Sequence, residues 1–263
     1  MDPTSIIGII LGIVLVVGAG IEEGLPPSSL IAPSALVIIL GGTIGATMTC
    51  YSMNEIKSLI SATSSAFKKR SVEFPDLFEM FGELATLARR EGLLVLENHP
   101  IPIDSPLLKR GVGLIVDGTE PALLRDMLTT ELYTFEERAK TMAGIWSTAG
   151  GFAPTMGIIG TVMGLILVMG NLENASELGP SIAVAFMATF YGVASANLVI
   201  LPIGKKMLLV AKEETQIGLV IVEGLVSIQS GDNPRVVQEK LKSYIDESMW
   251  ARLHVKAPVK EAK

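Results

Sequence analysis

The run Thr141-Met-Ala-Gly-Ile-Trp-Ser-Thr-Ala-Gly-Gly-Phe-Ala-Pro-Thr-Met-Gly-Ile-Ile-Gly-Thr-Val-Met-Gly-Leu-Ile-Leu-Val-Met-Gly-Asn-Leu172 carries no charged residue. It is longer than the ~20 apolar residues a helix needs to cross a ~30 Å hydrocarbon core. Three more stretches are also uncharged: residues 3–21, 24–54 and 178–204. In lipid only helices and closed barrels satisfy the backbone, and none of these runs shows the alternation of barrel strands. The reading is an all-α membrane protein with four transmembrane helices, at about residues 4–21, 30–50, 152–172 and 179–203. The first run has no Lys or Arg before it and no evident Ala-x-Ala-like cleavage site, so it reads as a retained span rather than a signal peptide.

Composition points the same way. Of 263 residues, 49% are hydrophobic and 18% charged, against about 25% charged in a soluble domain. Disorder is excluded by the apolar content. One cysteine and two histidines exclude a disulfide scaffold and a common zinc site. A net charge of −6 offers nothing to nucleic acid. The expected surroundings are a lipid bilayer.

The basic residues set an orientation. None lies in residues 1–50 or 141–204; eleven fall between Lys57 and Lys140, and the other ten between Lys205 and Lys263. The short connectors carry only Glu22, Glu23, Glu173 and Glu177. By the positive-inside rule the connectors face out, and both termini are cytoplasmic. The domains expected are a hairpin at 1–50, a cytoplasmic helical region at 51–150, a second hairpin at 151–204 and a cytoplasmic tail at 205–263. Within the cytoplasmic parts, Leu77, Met80, Phe81, Leu84, Leu87 and Ala88 recur at helical spacing, as do Leu107, Leu108, Val112, Ile115 and Val116. Pro121 opens a further helix with no clear stop signal before span three. Residues 213–228 continue span four until Gly231-Asp-Asn-Pro234 breaks the helix, and residues 236–245 form a last one. Residues 255–263 read as frayed, and His99 and His254 as surface residues. Cys50 reads as a packing residue.

No Asp, Glu, Lys, Arg or His lies within any span. Intramembrane ion sites and proton relays usually depend on such groups, so either the chain moves no ion or a partner supplies the carboxylate. The polar groups present sit on faces of small residues. In span four Ala185, Thr189, Gly192 and Ala196 share a face, and in span three Gly157, Thr161 and Gly164 do; Gly160–Gly164, Gly8–Gly12 and Gly41–Gly45 are GxxxG pairs. Such faces serve close helix packing; alternatively Thr161 and Thr189 offer oxygens to an ion or its water, and spacing leaves both open. Pro154 and Pro202, near the cytoplasmic ends of spans three and four, are either static kinks or flex points. Arg89, Arg90 and Glu97 form the densest charge, either a solvated face or a contact for a charged partner. No phosphate-binding loop, nucleophile elbow or metal spacing is present, and nothing argues for an enzyme or a resident cofactor.

Four blocks carry a family resemblance: Leu87-Ala-Arg-Arg-Glu-Gly-Leu-Leu-Val-Leu-Glu97, Phe152-Ala-Pro-Thr-Met-Gly-Ile-Ile-Gly-Thr-Val-Met-Gly-Leu165, Leu178-Gly-Pro-Ser-Ile-Ala-Val-Ala-Phe-Met-Ala-Thr-Phe-Tyr-Gly192 and Gly231-Asp-Asn-Pro-Arg-Val-Val237. In this order and topology the chain resembles the MotA/PomA family, the four-span stator subunit of the bacterial flagellar motor, over nearly its whole length. The resemblance implies a pentamer around a dimer of a MotB/PomB-type partner, which brings the ion-accepting aspartate and a peptidoglycan anchor. It also implies the inner membrane and contact with the rotor protein FliG. By position, Arg89 and Glu97 match the rotor-contacting residues, with Arg90 at a neighbouring basic position. Pro154 and Pro202 match the two family prolines, Thr189 the threonine nearest the partner aspartate, and Thr161 the span-three threonine of sodium-type members. Sodium-type members resemble Thr-Thr where this chain has Ala188-Thr189. A hard cation needs several oxygens and a proton does not, so Ala188 favours protons, while Thr161 and Tyr191-Gly-Val-Ala-Ser-Ala-Asn197 look sodium-type. The competing readings are an ExbB/TolQ-like energiser, which lacks the first hairpin, and a non-conducting scaffold.

Overall fold

The computed structural model describes residues 3–68, 72, 74–170, 172 and 175–245, with the backbone alone for residue 3 and residues 175–177. Among the described residues there is no strand. Four of the helical stretches are long and apolar enough to cross a membrane: Thr4–Glu22, Pro27–Cys50, Pro121–Gly170 and Leu178–Gln229. The chain divides into two compact units, Met1–Lys69 with Arg138–Val210, and Arg70–Glu137 with Ala211–Lys263.

In the first unit, α1 (Pro3–Glu22) is followed by a single 3₁₀ turn, Pro27–Leu30, and by α2 (Pro33–Cys50). The second span thus starts as a regular helix three residues later than composition suggested. The prolines explain this: each sets its own φ and offers no N–H, so each suits a first helical turn and the chain restarts at Pro33. Cys50 is exposed rather than packed. Two residues later Ser52 opens α3 (Met53–Ala66) with a capping box, its hydroxyl accepting from the Glu55 N–H while the Glu55 carboxylate accepts from the Ser52 N–H at 2.7 Å.

The helix opened by Pro121 does run on into span three: α6 spans Pro121–Gly170 and passes through Pro154. Span four is interrupted where the sequence suggests a plain helix. α7 (Ala175–Ser195) leads into a π-helical turn, Ala196–Ile200, and α8 (Leu201–Gln229) follows. Pro202 accounts for the wider turn. Its ring crowds the carbonyl four residues back, that of Leu198, and the Leu201 N–H reaches instead to the Ala196 carbonyl, a five-residue step.

The second unit has a core of large aliphatic and aromatic side chains. α4 (Phe74–Glu91) contributes Leu77, Phe81 and Leu84, all at most 2% exposed, as the apolar spacing predicts. Gly92, at φ +89°, ends it. A 3₁₀ segment (Leu93–Glu97) and α5 (Pro106–Val116) follow, and the start of α6 adds Leu124 and Leu128. α8 supplies Val220, Ile221 and Leu225. After Gly231, at φ +75°, Asn233 caps α9 (Pro234–Lys242) by accepting from the Arg235 N–H, and Val237 and Leu241 close the core. His99 is half-buried. His254, residues 255–263 and residues 171, 173 and 174 of the connector lie outside the described residues.

Candidate functional site

The small-residue faces of α6 and α7 meet. A Cβ placed on Gly157 would lie 2.9 Å from the Ala188 carbonyl oxygen and 3.1 Å from Thr189 Cα; on Gly192 it would lie 2.5 Å from the Ala153 carbonyl oxygen. Gly164 stands against Ala185 and Gly160 against Ala188. The order of these pairs makes the two helices antiparallel, with their backbones in contact. The other GxxxG pairs do not behave this way within the chain. Nothing lies within 4 Å of a Cβ on Gly8, Gly41 or Gly45, and Gly12 meets only the Leu198 side chain.

This close approach brings together the two threonines singled out by sequence. Thr161 Oγ1 and Thr189 Oγ1 are 2.5 Å apart. Thr161 Oγ1 also lies 2.9 Å from the Ala185 carbonyl and 3.1 Å from that of Gly157, and Thr189 Oγ1 lies 3.4 Å from the Gly157 carbonyl. Each hydroxyl has one hydrogen and two lone pairs. The shortest consistent set has Thr161 donating to Ala185 and Thr189 donating to Thr161. Thr161 then has one lone pair left and Thr189 two. The pair locks the helices, worth on the order of 1 kcal/mol for a hydrogen bond between membrane helices, and still presents acceptor oxygens from half-buried side chains.

Ala188, 2% exposed, stands against Gly160 and clusters with Ala35, Ile39 and Met187, away from the threonine pair. Beside that cluster Tyr191 bonds to α2 and the turn before it: its hydroxyl donates to the Leu30 carbonyl and accepts from the Ala32 N–H. Pro154 lies within α6, and Pro202 sits just past the π turn. Pro202 is therefore a point where helix geometry changes, whereas helical structure continues through Pro154.

Arg89 and Arg90 lie in the last turn of α4 and Glu97 ends the 3₁₀ segment; all three are exposed, with no ion pair among the described residues. Gly92 turns the chain between them. Leu96, 1% exposed, anchors the segment in the core, while Leu94 is 70% exposed.

Sequence reading missed a polar cluster around Glu223, a lone acid in the apolar run Ile217–Ile228 of α8 that is only 7% exposed. Arg125 Nη2 donates to its Oε2 at 2.8 Å and the Tyr244 hydroxyl at 3.0 Å, while Lys240 Nζ lies 3.9 Å from Oε1 and pairs with Asp232 at 2.6 Å. Burial and then the Glu223 charge raise the Tyr244 phenol above its ordinary value. The hydrogen bond to Glu223 foremost raises the Arg125 guanidinium. An acid inside an apolar run is itself a signal, since it must have partners when buried.

Residues 101–219 match the model of the MotA/TolQ/ExbB proton channel family, and residues 6–92 match that of the Motility protein A N-terminal region. Motility protein A of Bacillus subtilis is 37% identical over 246 residues, covering 93% of this chain and 91% of that protein. The chain belongs to the motility protein A family. Chemotaxis protein PomA of Vibrio alginolyticus, another relative, is 31% identical over 95% of the chain and 98% of its own length. Among solved structures, the flagellar MotAB stator complex from Bacillus subtilis superposes with a TM-score of 0.90 at 35% identity, covering 96% of this chain and 100% of that one. The C. jejuni MotAB structure gives 0.88 at 30% identity, covering 94% and 97%. The family assignment confirms an all-helical stator fold in which the extra first hairpin is shared.

Proposed function

We propose that the chain is a stator subunit of the bacterial flagellar motor, working with a MotB-type partner to turn ion flow into torque. Similarity to motility proteins and stator structures over more than nine-tenths of its length supports this. The observation that carries the mechanism is an α6–α7 contact that offers the Thr161–Thr189 hydroxyl pair within spans devoid of ionisable groups. A carboxylate from the partner completes what this chain lacks. Thr189, with two free lone pairs, is the residue that holds the ion or its water beside that carboxylate, and Thr161 positions it. The π turn before Pro202, with Pro154, is where movement of the spans reaches the rest of the chain. Arg89, Arg90 and Glu97 meet the rotor protein FliG through complementary charge. Five copies surround a partner dimer in the inner membrane, with both termini cytoplasmic.

The ion in this proposal is the proton. Ala188 is turned into packing against Gly160, so this segment of span four gives one hydroxyl where a sodium cage would use several oxygens. Motility of a strain dependent on this chain tests the ion. Swimming in sodium-free potassium buffer that stops with a protonophore is expected; speed that follows sodium and survives the protonophore overturns the proton. Thr189→Val is expected to abolish ion flow while the complex still assembles, and loss of assembly would make Thr189 a packing residue. Arg89→Glu combined with Glu97→Lys is expected to impair swimming with membrane levels unchanged. Normal swimming would remove the rotor-contact role.

A further inference from the structure

The geometry points to α3 as a membrane-surface helix that binds an anionic phospholipid leaflet, with an inserted stripe of Met53, Ile60 and Phe67 and flanking Lys57 and Lys68. Helix α3 begins three residues after Cys50, where the second span ends. Its 14 residues are about 21 Å long, yet its contacts with α6 fall within one short stretch. Tyr51, just before it, bonds through its hydroxyl to Thr148 Oγ1 at 2.9 Å. Ser58 Oγ donates to Met142 Sδ at 3.5 Å, and Trp146 Nε1 donates to Thr63 Oγ1 at 2.9 Å. Residues 142–148 of a helix cover only about 9 Å. Helix α3 therefore crosses α6 instead of running along it. It lies across the bundle at the level where the spans leave their uncharged runs, which is the attitude of a helix in the plane of the interface.

Its faces fit that position. At about 100° per residue, Ala62, Ala66 and Thr63 point to one side, where Ala66 packs with Ala143 and Met207. Met53, Ile56, Ile60 and Phe67 fall within an arc of about 60° next to that side. Ile60 is 80% and Met53 55% exposed. Beyond the arc on the helix stand Ser64 and Lys57, and after them Ser61, Asn54 and Ser65; Lys68 follows just past the helix end, and both lysines are exposed and without an ion pair among the described residues. An apolar stripe bordered by lysines and backed by small polar residues is the pattern of an interfacial helix, whose cations reach lipid phosphates on flexible stems. The charge and the continuity with span two favour a lipid leaflet over another protein surface.

The test uses the full chain with its partner in nanodiscs of phosphatidylcholine, with or without phosphatidylglycerol. Cys50→Ala removes the single cysteine, partner cysteines are likewise replaced, and Ile60→Cys or Asn54→Cys carries a nitroxide. With phosphatidylglycerol, oxygen should reach the Ile60 label while a nickel chelate is excluded, and the Asn54 label should show the reverse. In phosphatidylcholine alone the nickel chelate should gain access to Ile60. Lys57→Gln with Lys68→Gln should have the same effect and lower co-purified phosphatidylglycerol about fivefold per lysine, from ~1 kcal/mol for each cation near an anionic surface. A nickel-accessible Ile60 label in both lipids overturns the proposal. So does a label reached by neither reagent, which would mean that a second copy or the partner covers the stripe. Insensitivity to both lysines would overturn anionic recognition.

Discussion

Where α6 and α7 touch, the residues are Gly157, Gly160, Gly164, Ala185, Ala188 and Gly192; around Phe81 in the second unit they are Leu77, Leu84, Leu225 and their aliphatic neighbours. The same chain thus holds helices together in two ways. In water, burying a large side chain is itself the driving force. In lipid the tails are as apolar as leucine, so association depends on backbone approach, dispersion and hydrogen bonds such as Thr161–Thr189. In the first unit many large residues point outward: Val14, Leu15, Ile166 and Leu167 are each about 60% exposed or more, although Ile39 and Ile145 are buried. Opposite substitutions should therefore do harm in the two places.

The largest effect is expected from truncation in the second unit. Phe81 is fully buried, and its ring fills the space above Gly224, where a Cβ would lie 2.5 Å from Cε1. Phe81→Ala should cost about 3–5 kcal/mol, the lost transfer energy plus a cavity. Thermal unfolding of the purified complex should show an early transition while the spans still insert. Enlargement should be the damaging change between α6 and α7. A Cβ on Gly192 meets the Ala153 carbonyl and would stand 3.0 Å from Gly157 Cα; these are backbone atoms, which cannot move aside as a side-chain tip can. Gly192→Ala is expected to cost about 2–3 kcal/mol and to weaken the threonine pair. Gly151→Ala, with nothing within 4 Å, is the matched control. Equal behaviour of the two variants in a melting assay would show that the helices separate at little cost.

How far the chain could be read from its sequence follows the same division. The spans were legible because charge is excluded from them, and the continuation of the Pro121 helix into span three, realised in the 50-residue α6, because no clear stop signal precedes that span. The faces carrying Thr161 and Thr189 were legible from spacing, but that they face each other is a long-range fact no period reports. The π turn was half legible: Pro202 announces a disturbed hydrogen bond but not that the turn widens. The cross-bundle placement of α3 was invisible, since an amphipathic pattern sets a face and not a direction. Glu223 was overlooked because its partners Arg125 and Tyr244 are 98 and 21 residues away.

That polar cluster gives the next prediction. Tyr244→Phe removes the hydrogen bond to Glu223 and should cost about 1.5 kcal/mol, as for a bond to a charged group. It should also alter the alkaline limb of stability. The folded phenol is raised above its ordinary value, so the folded chain keeps this proton to higher pH than the unfolded one. Its contribution is complete below the unfolded value near 10 and is lost as pH rises through the folded value. Melting temperatures from pH 8 to 11 should fall less steeply in Tyr244→Phe than in the parent. Parallel curves would mean that the phenol titrates outside the folded network.

The smallest effect is expected on the outer face of α1. Leu15 is 60% exposed, and if lipid covers it, the unfolded and folded chains in a bilayer meet the same apolar surroundings. Leu15→Ala should then change stability by less than about 0.5 kcal/mol, as for substitutions that remove no packed contact, whereas truncation of Phe81 removes a complete set. Melting of the Leu15→Ala complex in nanodiscs against the parent measures this directly. A loss of 2 kcal/mol or more, on the scale of a buried leucine, would mean that the outer face of α1 is covered by another protein chain. The first unit would then depend on large-residue burial as well, and the contrast with the second would hold only for the α6–α7 contact.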